Sequence, residues 1–324
     1  MVFPVIHSTL DPRALERELV ARYDLAQPVH CQLINRANND FYEVQAGSDR
    51  YALRVAKADF RTREAYTYEA AYVHHLHTKG CQVPAPVRAN DGSLFFEVEA
   101  PEGIRTLTLM HWLDGKTFTE AMSADDAAEV GGSLATIHNA GADFSSESAR
   151  VITATNMLDE RIPHLLGMLE SDPEDHDFYV MATEAVKAAY EKLGPLNLPR
   201  GPVHGDFQFA NVMRTVDGSL AALDFDSCGV GLLIEDVFTF VWRSDMEIKD
   251  ESINTAFIDG YKEERPLMDG ELNNLGLFRV TRDLVMSSTF AILINRVGPV
   301  PGFDGDFGPF TALARKHLSD AGLA

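Results

Sequence analysis

The sequence predicts an α+β protein in two lobes, a small β-rich one followed by a larger helical one. Three features of the 324 residues predict it. Short extended runs dominate up to about residue 112. Helical spacing takes over from about Ser123. A single β-hairpin pattern, PVHGDFQFANVMRTVDGSLAALDFD, then interrupts the helices before they resume. The natural division is residues 1–112 against 113–324, with WLDGK as the crossing.

The first helix is expected from Pro12 to about Tyr23, with Asp11 as N-cap, proline at the first helical position and Leu15 and Leu19 on one face. FYEVQ and YALRV read as strands separated by the turn-forming GSDR. EAYTYEAAYVHHLHTKG has helical spacing and stops at Gly80. SLFFEV and TLTLMHWL follow as strands after a proline-punctuated stretch and the turn Asn90-Asp91-Gly92. In the second lobe DDAAEVGGSLATIHNA, NMLDERIPHLLGMLE and FYVMATEAVKAAYEKL are helices, with the acidic SDPEDHD expected as a solvated loop. Asp217-Gly218 is the expected turn of the hairpin. Helices return at LLIEDVFTFVWR and continue to the end.

Composition narrows the partners. Forty-nine acidic residues against 28 basic give a formal charge of −21. Phosphate backbones and anionic lipid surfaces reward clustered Lys and Arg, so nucleic acid and membrane are not expected partners. Cys31, Cys81 and Cys228 are widely spaced and form no metal-ligand pattern, which points to a reduced, cytoplasmic setting. The first twenty residues lack the basic-then-apolar pattern of a secretory signal, and VMSSTFAILI is too short to span a bilayer. His74, His75 and His77 crowd one helix without accompanying acids or cysteines and read as solvated or core histidines rather than a metal site. The oligomeric state has no sequence signal.

The chemistry concentrates at the interruption. Moving a phosphoryl group to a hydroxyl needs a carboxylate to receive the proton, a few oxygen ligands for Mg²⁺ and positive charge on the nucleotide phosphates. HGDFQFAN supplies His-x-Asp-x-x-x-x-Asn, and the hairpin then leads to Asp224 in LDFD. A lone HGD would be weak evidence; this order of residues around a hairpin is much stronger.

HGDFQFAN followed by LDFDSCGVGLLIEDV resembles the aminoglycoside phosphotransferase/choline kinase-like family, which has a protein-kinase-like two-lobed fold. The resemblance implies Asp206 as catalytic base, Asn211 and Asp224 as metal ligands, and His204 and Asp236 as braces of the catalytic loop. It implies ATP and Mg²⁺ as cofactors, residues 1–112 as a nucleotide-covering lobe and residues 113–324 as the lobe carrying the catalytic loop and acceptor site. Arg54 in YALRV stands where the family usually has the phosphate-binding lysine, and Glu69 stands where it carries the paired acid. An arginine keeps the charge but presents a planar fork in place of an ammonium. RANNDFYEV occupies the phosphate-covering hairpin without a glycine. Asn38, Asn39 and Asp40 either stand in for glycine there, with Asn39 at the cofactor, or form an ordinary turn. TLTLMHWLDG resembles the hinge, where Met110, His111 and Trp112 would meet the adenine through their backbone. Asp226 replaces the glycine of the protein-kinase Asp-Phe-Gly triplet and either assists a second Mg²⁺ or caps the following turn.

The acceptor expected from this reading is the hydroxyl of a small molecule: an amino alcohol, an amino acid such as homoserine, a sugar or an aminoglycoside. The acidic balance leans toward a cationic one. Two rival readings are a protein Ser/Thr kinase of the stress-response type and a nucleotide-sensing pseudokinase. Intact Asp206, Asn211 and Asp224 argue against the pseudokinase, and only Arg54 invites it.

Overall fold

The structure is a computed structural model and describes residues 3, 5, 7–36, 39–58, 60–297 and 305–324. Asn38, one of the candidate phosphate-loop residues, lies outside the described residues. Both expected lobes are present: a β-sheet with two packed helices, and a mainly helical body. The chain forms two compact units, residues 1–118 with 140–150 and 210–228, and residues 119–139 with 151–209 and 229–324. The first thus contains all of the stretch up to residue 112 and adds the hairpin that carries Asn211 and Asp224.

In the first unit α1 (Pro12–Arg22) starts as expected, with the Asp11 side chain accepting from the Arg13 amide. β1 (Val29–Arg36), β2 (Asn39–Ala46) and β3 (Asp49–Ala56) precede α2 (Arg63–Thr78), and β4 (Phe96–Ala100) and β5 (Gly103–His111) follow it. They form one antiparallel sheet in the order β1-β2-β3-β5-β4. β1 had no place among the expected strands. It is an edge strand in which Val29, Cys31 and Leu33 turn toward the core and His30 and Gln32 away from it, a short alternation that ends at the irregular register between Leu33 and Asn35. Leu15 and Leu19 of α1 pack with Tyr42, Val44, Leu53, Val55, Leu107 and Leu109 into a closed core.

A buried ion pair pins this sheet. Arg105 of β5 lies 3.0 Å from Asp40 of β2, both fully buried, and also donates to the Val55 carbonyl of β3 and to Glu102. One guanidinium therefore ties three strands, an arrangement that a planar five-donor fork permits. Asp40 belongs to this interior network.

β6 (Gly115–Thr117), β8 (Val212–Thr215) and β9 (Leu220–Ala222) make a small second sheet in the first unit, with Asp217-Gly218 at the β8–β9 turn as expected. Gly218 adopts φ +88°, a conformation glycine enters without cost.

The second unit is built on α3 (Ala124–Gly141, to residue 139), α4 (Ala154–Met168), α5 (Pro173–Leu193), α6 (Ile234–Glu247), α7 (Glu251–Glu264), the short α8 (Asp269–Leu272), α9 (Leu275–Val297) and α10 (Gly308–Asp320). A two-stranded ladder of β7 (Arg200–Val203) and β10 (Gly229–Leu232) complements them. Most of the acidic stretch expected as a loop is helical. Asp172 caps α5 by accepting from the Asp175 amide, Pro173 takes the first position, and Glu174 and Asp175 sit at the positive end of the helix. Charges that suggested a solvated loop are thus those a helix N-terminus favours. α3 and α7 meet backbone to backbone: a Cβ at Gly131 would lie 2.0 Å from the Phe257 carbonyl, and one at Gly260 2.0 Å from that of Ala128. Among the described residues no helix is long and apolar enough to cross a membrane.

Candidate active site

The first unit holds a cavity of about 490 Å³. Its chemistry is asymmetric. Ala52, Val73, Met110, Leu113, Met213 and Leu223 give it apolar walls, while Arg54, Glu69, Asn211 and Asp224 give it a charged side. Strand alternation and register explain the charged side. Arg54 on β3 pairs with Phe41 on one side and Thr108 on the other, all three lining the cavity. Glu69 stands two turns into α2 and meets Arg54 at 2.5 Å, with both side chains more than nine-tenths buried. Burial alone would push the Arg54 guanidinium toward losing its proton. Glu69, with Asp226 and Asp224 beyond it, reverses that and holds it firmly charged. Glu69 is likewise held below the usual carboxylate range, because Arg54 and Arg61 outweigh its burial.

Asn211 and Asp224 are set by the hairpin. Val212 pairs with Ala222, and the Leu223 amide then donates to the Asn211 carbonyl at 2.8 Å. The two candidate ligands therefore flank the open end of one β-ladder. Asp224 has φ +60°, a left-handed conformation rare outside glycine and tolerated best by Asn and Asp. Phe225 behind it is buried and meets Tyr72 of α2 edge-on at 5.9 Å. Asp226 accepts from the Ser227 hydroxyl at 3.2 Å.

Met110 and Trp112 also line the cavity. The His111 amide between them donates to Ala85, and the Trp112 ring lies under the Arg50 guanidinium at 4.1 Å. Asn39 is buried at the start of β2 and is not among the described lining residues. The crowded histidines go separate ways: His74 to Arg88, His75 to Asp143 and the Ala140 carbonyl, His77 stacked on His111.

Asp206 belongs to the second unit, on the loop that leaves β7. Gly205, at φ +82°, turns the chain. Phe207 and Phe209 alternate inward against Phe257 and Phe240, which sends Asp206 and Gln208 the other way. Asp236 of α6 braces the loop. One carboxylate oxygen accepts from the His204 amide at 2.6 Å and the other from the Gly205 amide at 2.8 Å. Despite complete burial its carboxyl stays below the usual range, held there by His138 and those donors. His138 in turn pairs with the Tyr261 hydroxyl at 2.8 Å, a contact the close α3–α7 crossing makes possible.

Three functional candidates had no sequence signal. Arg61 is a second arginine on Glu69. Arg282 of α9 donates to Asp206 at 3.0 Å from 76 residues away. His138 reaches Asp236 from 98 residues away. Only spatial proximity identifies them.

A kinase-like sheet with an arginine–glutamate pair at a largely apolar cavity that also carries Asn211 and Asp224, together with an Asp-bearing loop braced by a buried carboxylate, defines a phosphotransferase of the protein-kinase-like fold. Residues 30–270 match the phosphotransferase enzyme family, APH, and the chain belongs to it. It is an enzyme of the class that phosphorylates alcohol groups. The chain is 30% identical over 257 residues to a homoserine kinase of Neisseria meningitidis, covering 78% of this chain and 79% of that one. Its fold is similar to that of a microcompartment-associated aminopropanol kinase, with a TM-score of 0.75 at 21% identity, covering 96% and 99% of the two chains. It is also similar to the amicoumacin kinase hAmiN in complex with AMP-PNP, Ca²⁺ and Ami, with a TM-score of 0.74 at 18% identity over 96% and 94%.

Proposed function

We propose that this enzyme transfers the γ-phosphoryl group of Mg²⁺-ATP to the hydroxyl of a small amino-bearing molecule, an amino acid or amino alcohol. The observation that carries the reading is the asymmetric cavity: apolar walls suited to a purine, with Arg54, Glu69, Asn211 and Asp224 gathered on one side. One amide and one carboxylate oxygen suit Mg²⁺, which keeps several waters and takes its remaining ligands from phosphates. The homoserine and aminopropanol kinases to which the chain is similar support the amino-bearing acceptor, and the formal charge of −21 agrees with a cationic group on it.

When bound, the metal nucleotide supplies the electrophilic phosphorus. Arg54 holds phosphate oxygens, steadied by Glu69, and Asn211 and Asp224 are the groups available to the metal. Asp206 receives the proton of the acceptor hydroxyl. Arg282, paired with it at 3.0 Å, fixes the direction of that carboxylate. Most of the rate on this account comes from positioning and charge neutralisation.

The test is acceptor-dependent ADP release with Mg²⁺-ATP over a panel of homoserine, aminopropanol, choline, ethanolamine, common sugars, aminoglycosides and a generic protein substrate. Release with an amino acid or amino alcohol that disappears in Asp206→Asn is the expected result. Release with the protein substrate alone, or turnover unchanged in Asp206→Asn, would refute it.

A further inference from the structure

Glu69 has two arginines where a phosphate-steadying pair needs one. Its first oxygen takes Nη1 of Arg54 and its second takes Nη1 of Arg61, each at 2.5 Å. Arg61 is 8% exposed, donates from its other terminal nitrogen to the Ala65 carbonyl at 3.2 Å and lies 5.0 Å over the Tyr66 ring. It does not line the cavity. Its position is unfavourable for the helix it precedes: Thr62 caps α2, so Arg61 brings a positive charge to the positive end of that helix. Helix stability therefore gives no account of it.

Charge does. A buried Arg54–Glu69 pair by itself sums to zero, so the arginine that faces the phosphates is largely cancelled by its own partner. With Arg61 on the far oxygen the trio sums to one positive charge, which faces the Asp224 and Asp226 carboxylates and, in a region of low dielectric, is screened little by solvent. Arg54 spends one N–H on Glu69 and, among the described residues, makes no other hydrogen bond. Its remaining donors stay available.

We propose that Arg61 is a positioning residue for the nucleotide: it neutralises Glu69 from behind, so that Arg54 meets the phosphates with a full charge and a fixed orientation. This rests on the reading of the cavity as a nucleotide site. It assigns Arg61 a charge role with a clear signature, because a neutral nucleoside should not sense it.

The experiment measures binding of ATP, ADP and adenosine to the wild-type enzyme and to Arg61→Gln and Arg61→Lys, by calorimetry in Mg²⁺ buffer. In Arg61→Gln the expected result is about tenfold weaker ATP, a smaller loss for ADP and unchanged adenosine, the size usual for one charge-assisted contact. Arg61→Lys should recover most of the loss. Equal weakening of all three ligands would show a merely structural role and overturn the proposal, as would ATP affinity unchanged in Arg61→Gln. If the wild-type enzyme binds none of the three, the nucleotide reading falls and this inference falls with it.

Discussion

The His138 Nε2 atom lies 3.1 Å from Asp236 Oδ2, with both side chains almost wholly out of solvent. Donors and acceptors along this line fall into one consistent direction. Arg265 donates to the Tyr261 oxygen, the Tyr261 hydroxyl donates to His138 Nδ1, and His138 Nε2–H donates to Asp236, which also accepts the His204 and Gly205 amides. The loop that carries Asp206 thus hangs from a carboxylate oriented by a histidine on another helix.

His138→Ala should therefore do two things. It strips a buried carboxylate of its side-chain partner, a change that costs about 3 kcal/mol where such pairs are well formed. It also frees the loop, so kcat should fall well beyond what a stability loss alone produces at temperatures where the variant is folded. Chemical denaturation and steady-state kinetics on the same sample check both. A variant as stable and as active as wild type would show that the His204 and Gly205 amides alone hold Asp236.

Much of this architecture was legible in the sequence, and the parts that were not share a physical reason. The hairpin turn at Asp217-Gly218, the helix cap at Asp11 and the helix over residues 63–78 are local signals, written in neighbouring residues. β1 escaped because its alternation is short and breaks at the irregular register after Leu33, and the start of α5 because its acidic residues suit a loop and a helix N-terminus equally. Arg282, His138 and Gly260 act across 76, 98 and about 130 residues of chain, where no periodicity or motif reaches. Arg61 sits only eight residues from Glu69 yet was equally silent, since its role depends on which way two side chains turn.

If Asp206 acts as proposed, its partner Arg282 should bear on turnover rather than on nucleotide binding. Its guanidinium is buried enough that desolvation outweighs the carboxylates around it and lowers its affinity for a proton, yet it remains the donor to Asp206. Arg282→Ala should lower kcat by about 10- to 100-fold while leaving the KM for ATP near wild type, the pattern of an interaction that matters mainly in the transition state. Arg282→Lys should recover part of the rate. A rise in the KM for ATP with kcat unchanged would place Arg282 with the nucleotide and refute the role proposed for its pairing with Asp206.

Glu235, beside Asp236 on α6, provides a pH test of the second unit. Burial pushes its carboxyl up to about 7, with Tyr190 donating to it and Arg200 and Arg282 opposing the shift. A carboxyl raised in the folded state favours the protonated form there. Its neutral form is present in both states below about pH 4.5, and stability is lost as pH rises from there through about 7. Glu235→Gln keeps an acceptor for the Tyr190 hydroxyl and removes the ionisation. The variant should match wild type near pH 4.5 and exceed it by about 1 kcal/mol at pH 8, a figure set below the full linkage value because Glu235 retains some solvent contact. Denaturant titrations at the two pH values decide it. A variant less stable than wild type at pH 8 would mean that the ionised carboxylate is welcome, held by Arg200 and Arg282 more strongly than burial opposes it.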